Sequence, residues 1–154
     1  MEYLVAKWLH ILSSTLLFGT GLGSAYYMFF TSLTGRPVAV AEVVRLVVWA
    51  DWIFTTTTIV FQPLSGLYLL HLMGIPLSTR WVVWSFALYF LAGACWLPVV
   101  ALQMRMRCVA REAADRGEPL PAQYRRDFRM WVALGIPAFV ALVVVFWLMV
   151  AKPA

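Results

Sequence analysis

Four long apolar stretches set the main constraint on what this sequence can fold into. They cover about residues 3–30, 46–73, 81–104 and 130–151, and each reaches the roughly 20 residues that a helix needs to cross the hydrocarbon core of a bilayer. With 63% hydrophobic and 12% charged residues and a mean hydropathy of +0.83, the chain lies outside the composition of soluble domains. The sequence therefore predicts an all-α integral membrane protein, a four-helix bundle with antiparallel, up-down-up-down topology.

The segments between these stretches predict helices at about 3–33, 43–73, 79–116 and 127–152 of a single transmembrane domain, 1–154. Glycine and proline at 35–37 and 74–76 break the chain into turns. The first stretch exceeds the roughly 7–15 apolar residues of a cleaved signal peptide, so we expect a retained helix. Cys95 and Cys108 lie about 20 Å apart along the third helix, and we expect both to be free thiols.

Arginine is distributed unevenly between the two sides of the predicted bundle. On the side of the bundle opposite the arginine-bearing loops, the only basic residues are Lys7, Arg80 and Lys152. Under the positive-inside rule, this distribution places both termini in the periplasm and the arginine-bearing loops in the cytoplasm of a bacterial inner membrane. The net charge of +5 is thus interpreted as a signal of topology, and nucleic acid is not an expected partner. The arginines of these loops are Arg36, Arg45, Arg105, Arg107, Arg111, Arg116, Arg125, Arg126 and Arg129.

His10 is an ionisable side chain inside the first apolar stretch, and such a side chain marks a candidate functional site. Imidazole nitrogen suits haem iron and other transition metals. Alternatively, His10 bonds a neighbouring helix or reaches the interface. At about 100° per residue, a face of small and polar residues lies in line with it. The members of that face are Ser14, Leu17, Gly21, Ser24 and Met28.

The second helix has a polar stripe of its own. Asp51 begins it near the arginine-bearing side, and we expect this carboxylate to pair with Arg45, Arg105 or Arg129. Pro63 should bend the helix and free a carbonyl one turn earlier. The stripe comprises Asp51, Thr55, Thr58, Gln62 and Gly66.

His71 is the only other histidine. Because the first two helices are predicted to be antiparallel, His10 and His71 should lie at similar depth, as two histidines holding one haem would. His71 is equally well interpreted as an interfacial side chain. Lys7 and Arg80 are candidates to pair with haem propionates, and Trp84 is a candidate wall of a porphyrin pocket.

Two short motifs carry a family resemblance. Residues 7–11 (KWLHI) and 18–21 (FGTG) resemble the opening of a bacterial family of predicted membrane proteins without assigned function. That family is similar to the copper-resistance-D-like group and to the HemJ-type protoporphyrinogen IX oxidases, and the similarity to the HemJ-type proteins continues through Pro63, Gly66 and Trp81. The resemblance implies that His10 is a candidate haem ligand. A lysine expected shortly after Trp81 is absent, since Val82, Val83 and Trp84 follow, so the resemblance implies haem binding more directly than oxidase activity.

The leading hypothesis is a haem b-binding membrane protein, with His10 and His71 as metal ligands and Ser14, Gly21, Lys7, Arg80 and Trp84 around the cofactor. Its expected role is electron transfer or porphyrinogen oxidation. Expected partners are the bilayer, a quinol, a porphyrin, a redox protein or a second copy of the chain. One alternative is a copper-handling or transport accessory protein using His10, Met28 and Met73; another is a structural subunit of a larger membrane complex. No motif typical of a hydrolase is present.

Overall fold

The computed structural model describes residues 1–153, and within that range the chain forms helices and no strands. The helices are α1 (Glu2–Leu33), α2 (Pro37–Ala50), α3 (Thr56–Met73), α4 (Arg80–Arg116) and α5 (Ala122–Ala151). A π-helical turn, Asp51–Thr55, joins α2 and α3 into one continuous rod. The chain therefore consists of four helical rods, which confirms the all-α prediction.

The rod formed by α2 and α3 begins earlier than predicted. Its first residue is Pro37 rather than residue 43, because proline suits the first helical position, where its missing N–H has no intrahelical role. At the other end of the rod, Gly74 adopts a left-handed conformation with φ of 63°, which a glycine accepts at no steric cost. Gly117 ends α4 in the same way, with φ of 67°.

The π-helical turn has a local chemical basis. The Asp51 carbonyl accepts the backbone N–H of Thr56, five residues on, and also the Thr56 hydroxyl at 3.0 Å. The Asp51 carboxylate accepts the Thr55 hydroxyl at 2.9 Å. Two side chains of the turn therefore stabilise a helix register that contains one residue more than an α-helix would.

The helices α1 and α3 run in opposite directions. His10 of α1 contacts Ser65 of α3, and Ser14 contacts Gln62, so residue numbers fall along the rod as they rise along α1. The start of α1, the end of α3, the start of α4 and the end of α5 meet at what we call the termini end. The opposite ends of the same helices meet at the arginine-rich end.

The two halves of the molecule are packed differently. A cluster of buried apolar side chains fills the arginine-rich half, where α4 packs on α2. In the termini half, α3 packs on α1 while α4 packs on α5, and an open volume remains between the two pairs. The members of the cluster include Met28, Val44, Leu102, Met106, Tyr124 and Trp131.

The outward faces of the helices are apolar. Phe90, Leu97 and Trp147 are each about two-thirds exposed, at 66%, 67% and 67%, and exposed apolar faces of this extent suit contact with lipid. By length and composition, α4 and α5 are apolar enough to cross a membrane. The structure thus supports two of the four predicted spans by this criterion, because polar residues interrupt α1 and α3.

Candidate functional site

A buried polar contact joins α1 and α3. His10 is 8% exposed, and its Nδ1 lies 2.7 Å from the hydroxyl oxygen of Ser65. The Gln62 amide donates to the Ser14 hydroxyl at 2.8 Å and to the His10 carbonyl at 3.1 Å. In an apolar surrounding, polar groups left without partners carry a large desolvation cost. These four side chains therefore fix α1 against α3 in one register.

The Ser65 hydroxyl determines which imidazole nitrogen stays available. Ser65 lies 2.8 Å from the Phe61 carbonyl one turn earlier on its own helix, and it has one proton to donate. When Ser65 donates to Phe61, His10 Nδ1 must carry the ring proton that Ser65 accepts. Nε2 then keeps its lone pair, and no side chain or backbone group of residues 1–153 makes a hydrogen bond to it. A hydrogen bond at one nitrogen that orients the other is the usual arrangement around metal-binding histidines.

His10 lines a cavity of about 560 Å³ between the two helix pairs. The volume falls within the roughly 300–1,000 Å³ of sites for cofactor-sized ligands. Its walls are mostly apolar or aromatic and come from α1, α3, α4 and α5, and include Leu17, Phe18, Leu69, Trp81, Val145 and Phe146. The imidazole is thus the one histidine side chain in a largely apolar cavity.

Gly66 allows α3 to approach the imidazole. A Cβ atom at this position would lie 3.5 Å from Cε1 of His10, which is ordinary van der Waals contact. A larger side chain would occupy the space of the ring. The glycine of the predicted polar stripe therefore has a packing role beside the histidine.

Pro63 creates a free backbone acceptor at the far wall of the cavity. Proline has no N–H, so the Ile59 carbonyl, four residues earlier, loses its helical partner. The Tyr89 hydroxyl of α4 donates to that carbonyl at 2.7 Å. The prediction that Pro63 frees a carbonyl is thereby confirmed, and the freed group ties α3 to α4.

Two lysines stand at the termini end of the cavity. Lys7 lies over the Tyr3 ring, 5.7 Å from its centroid, and Lys152 lies over the Trp81 ring at 5.9 Å. All four residues line the cavity. The cavity therefore has a cationic, aromatic mouth above its apolar walls.

The cavity brings together three of the seven predicted site residues: His10, Ser14 and Lys7. Gly21, Arg80 and Trp84 lie outside its lining, and Arg80 and Trp84 are exposed. The cation that accompanies Lys7 is Lys152, which the charge distribution of the sequence indicates only as a marker of topology. Ser65 was also missed, although its position three residues after Gln62 placed it near the predicted stripe.

His71 lies elsewhere. It is exposed and does not line the cavity. Because Ser65 is level with His10, His71 lies about 9 Å further towards the termini end, at a rise of about 1.5 Å per residue. The expectation of two imidazoles at similar depth is therefore corrected, since the register of α1 on α3 places His71 opposite the first turn of α1.

The residues of the copper hypothesis are also separated. Met28 is fully buried in the apolar cluster of the arginine-rich half, about 27 Å along α1 from His10. Met73, in contrast, lines the cavity. Within residues 1–153, no group of three or more His, Cys, Asp or Glu side chains is placed to hold a metal ion.

Asp51 does not form the predicted ion pair. It is buried, accepts the Thr55 hydroxyl, and faces the buried amide of Gln103. Of the expected cations, Arg45 pairs with Glu42, and Arg105 pairs with Asp127. The carboxylate is thus held by neutral polar groups.

These features define an all-helical membrane-protein class: exposed apolar faces, two helices fit to span a bilayer, and one interior polar contact beside a cavity. The chain belongs to the family described as "Predicted integral membrane protein (DUF2269)", whose model matches residues 4–153. This confirms the resemblance to a family of predicted membrane proteins, whereas no comparison supports the resemblance to the copper-resistance-D-like group or to HemJ-type oxidases. No curated protein and no solved structure matches the chain.

Proposed function

We propose that this membrane protein binds haem b in the cavity, with His10 as the iron ligand. One observation carries the proposal: a buried imidazole whose Nδ1 is oriented by Ser65, and whose other nitrogen has no protein partner, lines a cavity of about 560 Å³. Neutral imidazole is a common haem ligand. The mostly apolar walls suit a flat tetrapyrrole.

The mouth of the cavity fits the two acidic groups of haem. Lys7 and Lys152 would pair with the propionates, since ammonium groups form charge-assisted hydrogen bonds to carboxylates. Both lysines lie over aromatic rings that also line the cavity. The proposed site thus uses His10 for the metal and the two lysines for the periphery.

The proposed role is redox. Haem, when bound, supplies one-electron chemistry. The chain would hold it beside lipid, where a quinol, a porphyrinogen or a membrane redox protein is a suitable partner. The cavity lining contains one histidine, so the site differs from the bis-histidine arrangement expected from the sequence. Met73 and Met149 line the same cavity and are the soft donors available to the metal or to copper.

The proposed membrane arrangement has four spans in up-down-up-down order in a bacterial inner membrane. The opposite directions of α1 and α3 and the apolar outward faces support it. The arginines concentrate at one end of the bundle, which under the positive-inside rule is cytoplasmic. Both termini would then be periplasmic, and the cavity mouth would face the periplasm.

The test is an absorption spectrum of the full chain purified in detergent from haem-replete cells, oxidised and reduced. We expect a Soret band that is lost in His10→Ala and retained in His71→Ala, the matched histidine control. Folding of each variant is followed by size-exclusion profile, and His10→Gln serves as a second variant that keeps a polar side chain against Ser65.

The outcomes separate the functional classes. If the wild-type protein is colourless and metal analysis shows bound copper, the copper-handling function would replace the haem proposal. A protein that retains no cofactor would favour a structural subunit. Equal loss of the Soret band in both histidine variants would remove His10 from its assigned role.

A further inference from the structure

A second cavity lies at the arginine-rich end, remote from His10. It has a volume of about 610 Å³ and lies between the end of α1, the loop before α5 and the first turns of α5. Arg125 and Arg129 line it, together with apolar side chains of Leu33, Leu120 and Phe128. No aspartate or glutamate is among its lining residues.

The two arginines are available for an anion. They are four residues apart on one helix face, where like charges repel each other. Neither forms an ion pair within residues 1–153, whereas Arg45, Arg105, Arg111 and Arg116 each do. Arg125 donates to the Leu120 carbonyl at 3.1 Å, and this bond holds its guanidinium against the cavity wall. An anion between the two guanidinium groups would relieve their repulsion.

The base of the cavity is formed by buried, hydrogen-bonded side chains. Tyr124 is 1% exposed, and its hydroxyl lies 2.7 Å from that of Ser32. This contact joins α5 to the end of α1. The neighbouring carboxylate, Asp127, is fully buried and held by Arg105 through bonds of 2.6 and 2.7 Å. Asp127 therefore does not compete for the lining arginines.

The position of the cavity indicates what kind of anion it would take. The uncharged stretch of α5 begins directly after Arg129 and continues to Ala151, and α5 is one of the helices apolar enough to cross a bilayer. In a bilayer spanned by α5, Arg125 and Arg129 would therefore lie at the level of the lipid headgroups. Leu33, 61% exposed, and the half-buried Phe128 offer apolar surface beside the charges, as an amphiphile requires.

We propose that this cavity binds the phosphate headgroup of an anionic phospholipid, with Arg125 and Arg129 as the phosphate ligands. Guanidinium groups bind phosphate through paired N–H donors, and basic pockets between membrane helices bind anionic headgroups. The site is independent of the proposed haem site, because the two cavities share no lining residue.

The experiment measures lipid retention by native mass spectrometry on the full-length protein with dioleoylphosphatidylglycerol and dioleoylphosphatidylcholine. We expect wild-type protein to retain the anionic lipid preferentially. Arg125→Gln/Arg129→Gln should weaken that binding by on the order of 30-fold, at roughly 5-fold for each arginine near a membrane surface. Arg107→Gln/Arg126→Gln removes the same charge and should weaken the binding clearly less than the cavity pair does, because neither Arg107 nor Arg126 lines the cavity.

A second measurement, with inorganic phosphate as the probe, distinguishes a lipid headgroup from free phosphate. Phosphatidylglycerol should raise the unfolding temperature of the wild-type protein, and the same concentration of inorganic phosphate should not. Equal protection by inorganic phosphate, equal loss in the control pair, or equal retention of the two lipids would each overturn the proposal. If the glutamine pair does not fold, the lipid preference and the phosphate arm of the wild-type protein decide the question.

Discussion

The hydroxyl of Tyr89 and the backbone carbonyl of Ile59 are joined by a 2.7 Å hydrogen bond that links α4 to α3 at the far wall of the cavity. The carbonyl is available because Pro63 supplies no N–H to it. A side chain of one helix thus completes the backbone hydrogen bonding of another. This bond lies in the half of the molecule where the two helix pairs stand apart.

Tyr89→Phe should lower the free energy of unfolding by about 1 kcal/mol, because it leaves a partly buried carbonyl without a donor. In a Pro63→Ala background, the new N–H of residue 63 can bond Ile59, so the same Tyr89→Phe change should cost markedly less. A double-mutant cycle of thermal unfolding in detergent measures the difference. Strictly additive effects would show that Tyr89 stabilises the protein by another route.

The effect of a substitution at Gly66 should depend on the size of the new side chain. Gly66→Ala should retain bound haem and stabilise α3 by about 0.5–1 kcal/mol, because the new Cβ makes only ordinary contact with His10. Gly66→Leu should displace the imidazole and reduce the Soret absorbance per protein at least about 10-fold. Gly19→Leu is the matched control, since a Cβ there meets nothing within 4 Å. Normal haem retention in Gly66→Leu would contradict the proposed geometry.

The ion pair of Asp127 and Arg105 should matter far more than an exposed one. Asp127 is fully buried and receives two charge-assisted bonds from Arg105, so Asp127→Asn should lower the free energy of unfolding by about 2 kcal/mol. Asp115→Asn breaks the exposed pair with Arg111 and should change stability by no more than about 0.5 kcal/mol. Thermal unfolding of both variants in one detergent makes the comparison. Similar losses would show that burial does not govern these pairs.

The proposed orientation can be tested with a native cysteine. Cys108 is exposed at the arginine-rich end of α4, and in a Cys95→Ala background it is the only thiol in the chain. A membrane-impermeant maleimide should leave Cys108 unlabelled in intact spheroplasts and label it after permeabilisation. A cysteine introduced by Ser78→Cys, with Cys95 and Cys108 both replaced by alanine, should label in intact spheroplasts. The reverse pattern would place the arginine-rich end in the periplasm.

Helical periodicity was sufficient to place polar faces. His10 and Ser14 were predicted to share one face of α1, and Gln62 to lie on a polar face of the second helix; the structure brings these faces together. Side-chain spacing within a helix is a local property, so one sequence can reveal it. The carbonyl freed by Pro63 could be predicted for the same reason, because it lies four residues earlier on the same helix.

Contacts between helices were less accessible to prediction. Whether Ser65 or a neighbour meets His10, and whether His71 is level with it, depends on how far one helix is displaced along another. The expected ion pair of Asp51 failed for a related reason: the π-helical turn presents Thr55 to this carboxylate, and Arg105 is held by Asp127. A regular helical projection contains no sign of such a turn.

The π-helical turn determines which residues of α3 face α1. If residues 51–55 formed a regular α-helix instead, everything after them would be rotated by about 100°. Gln62 and Ser65 would swing away from α1 towards the hydrocarbon, although neither would have been altered. The geometry of a turn far from the imidazole thus decides whether its anchoring residues face it.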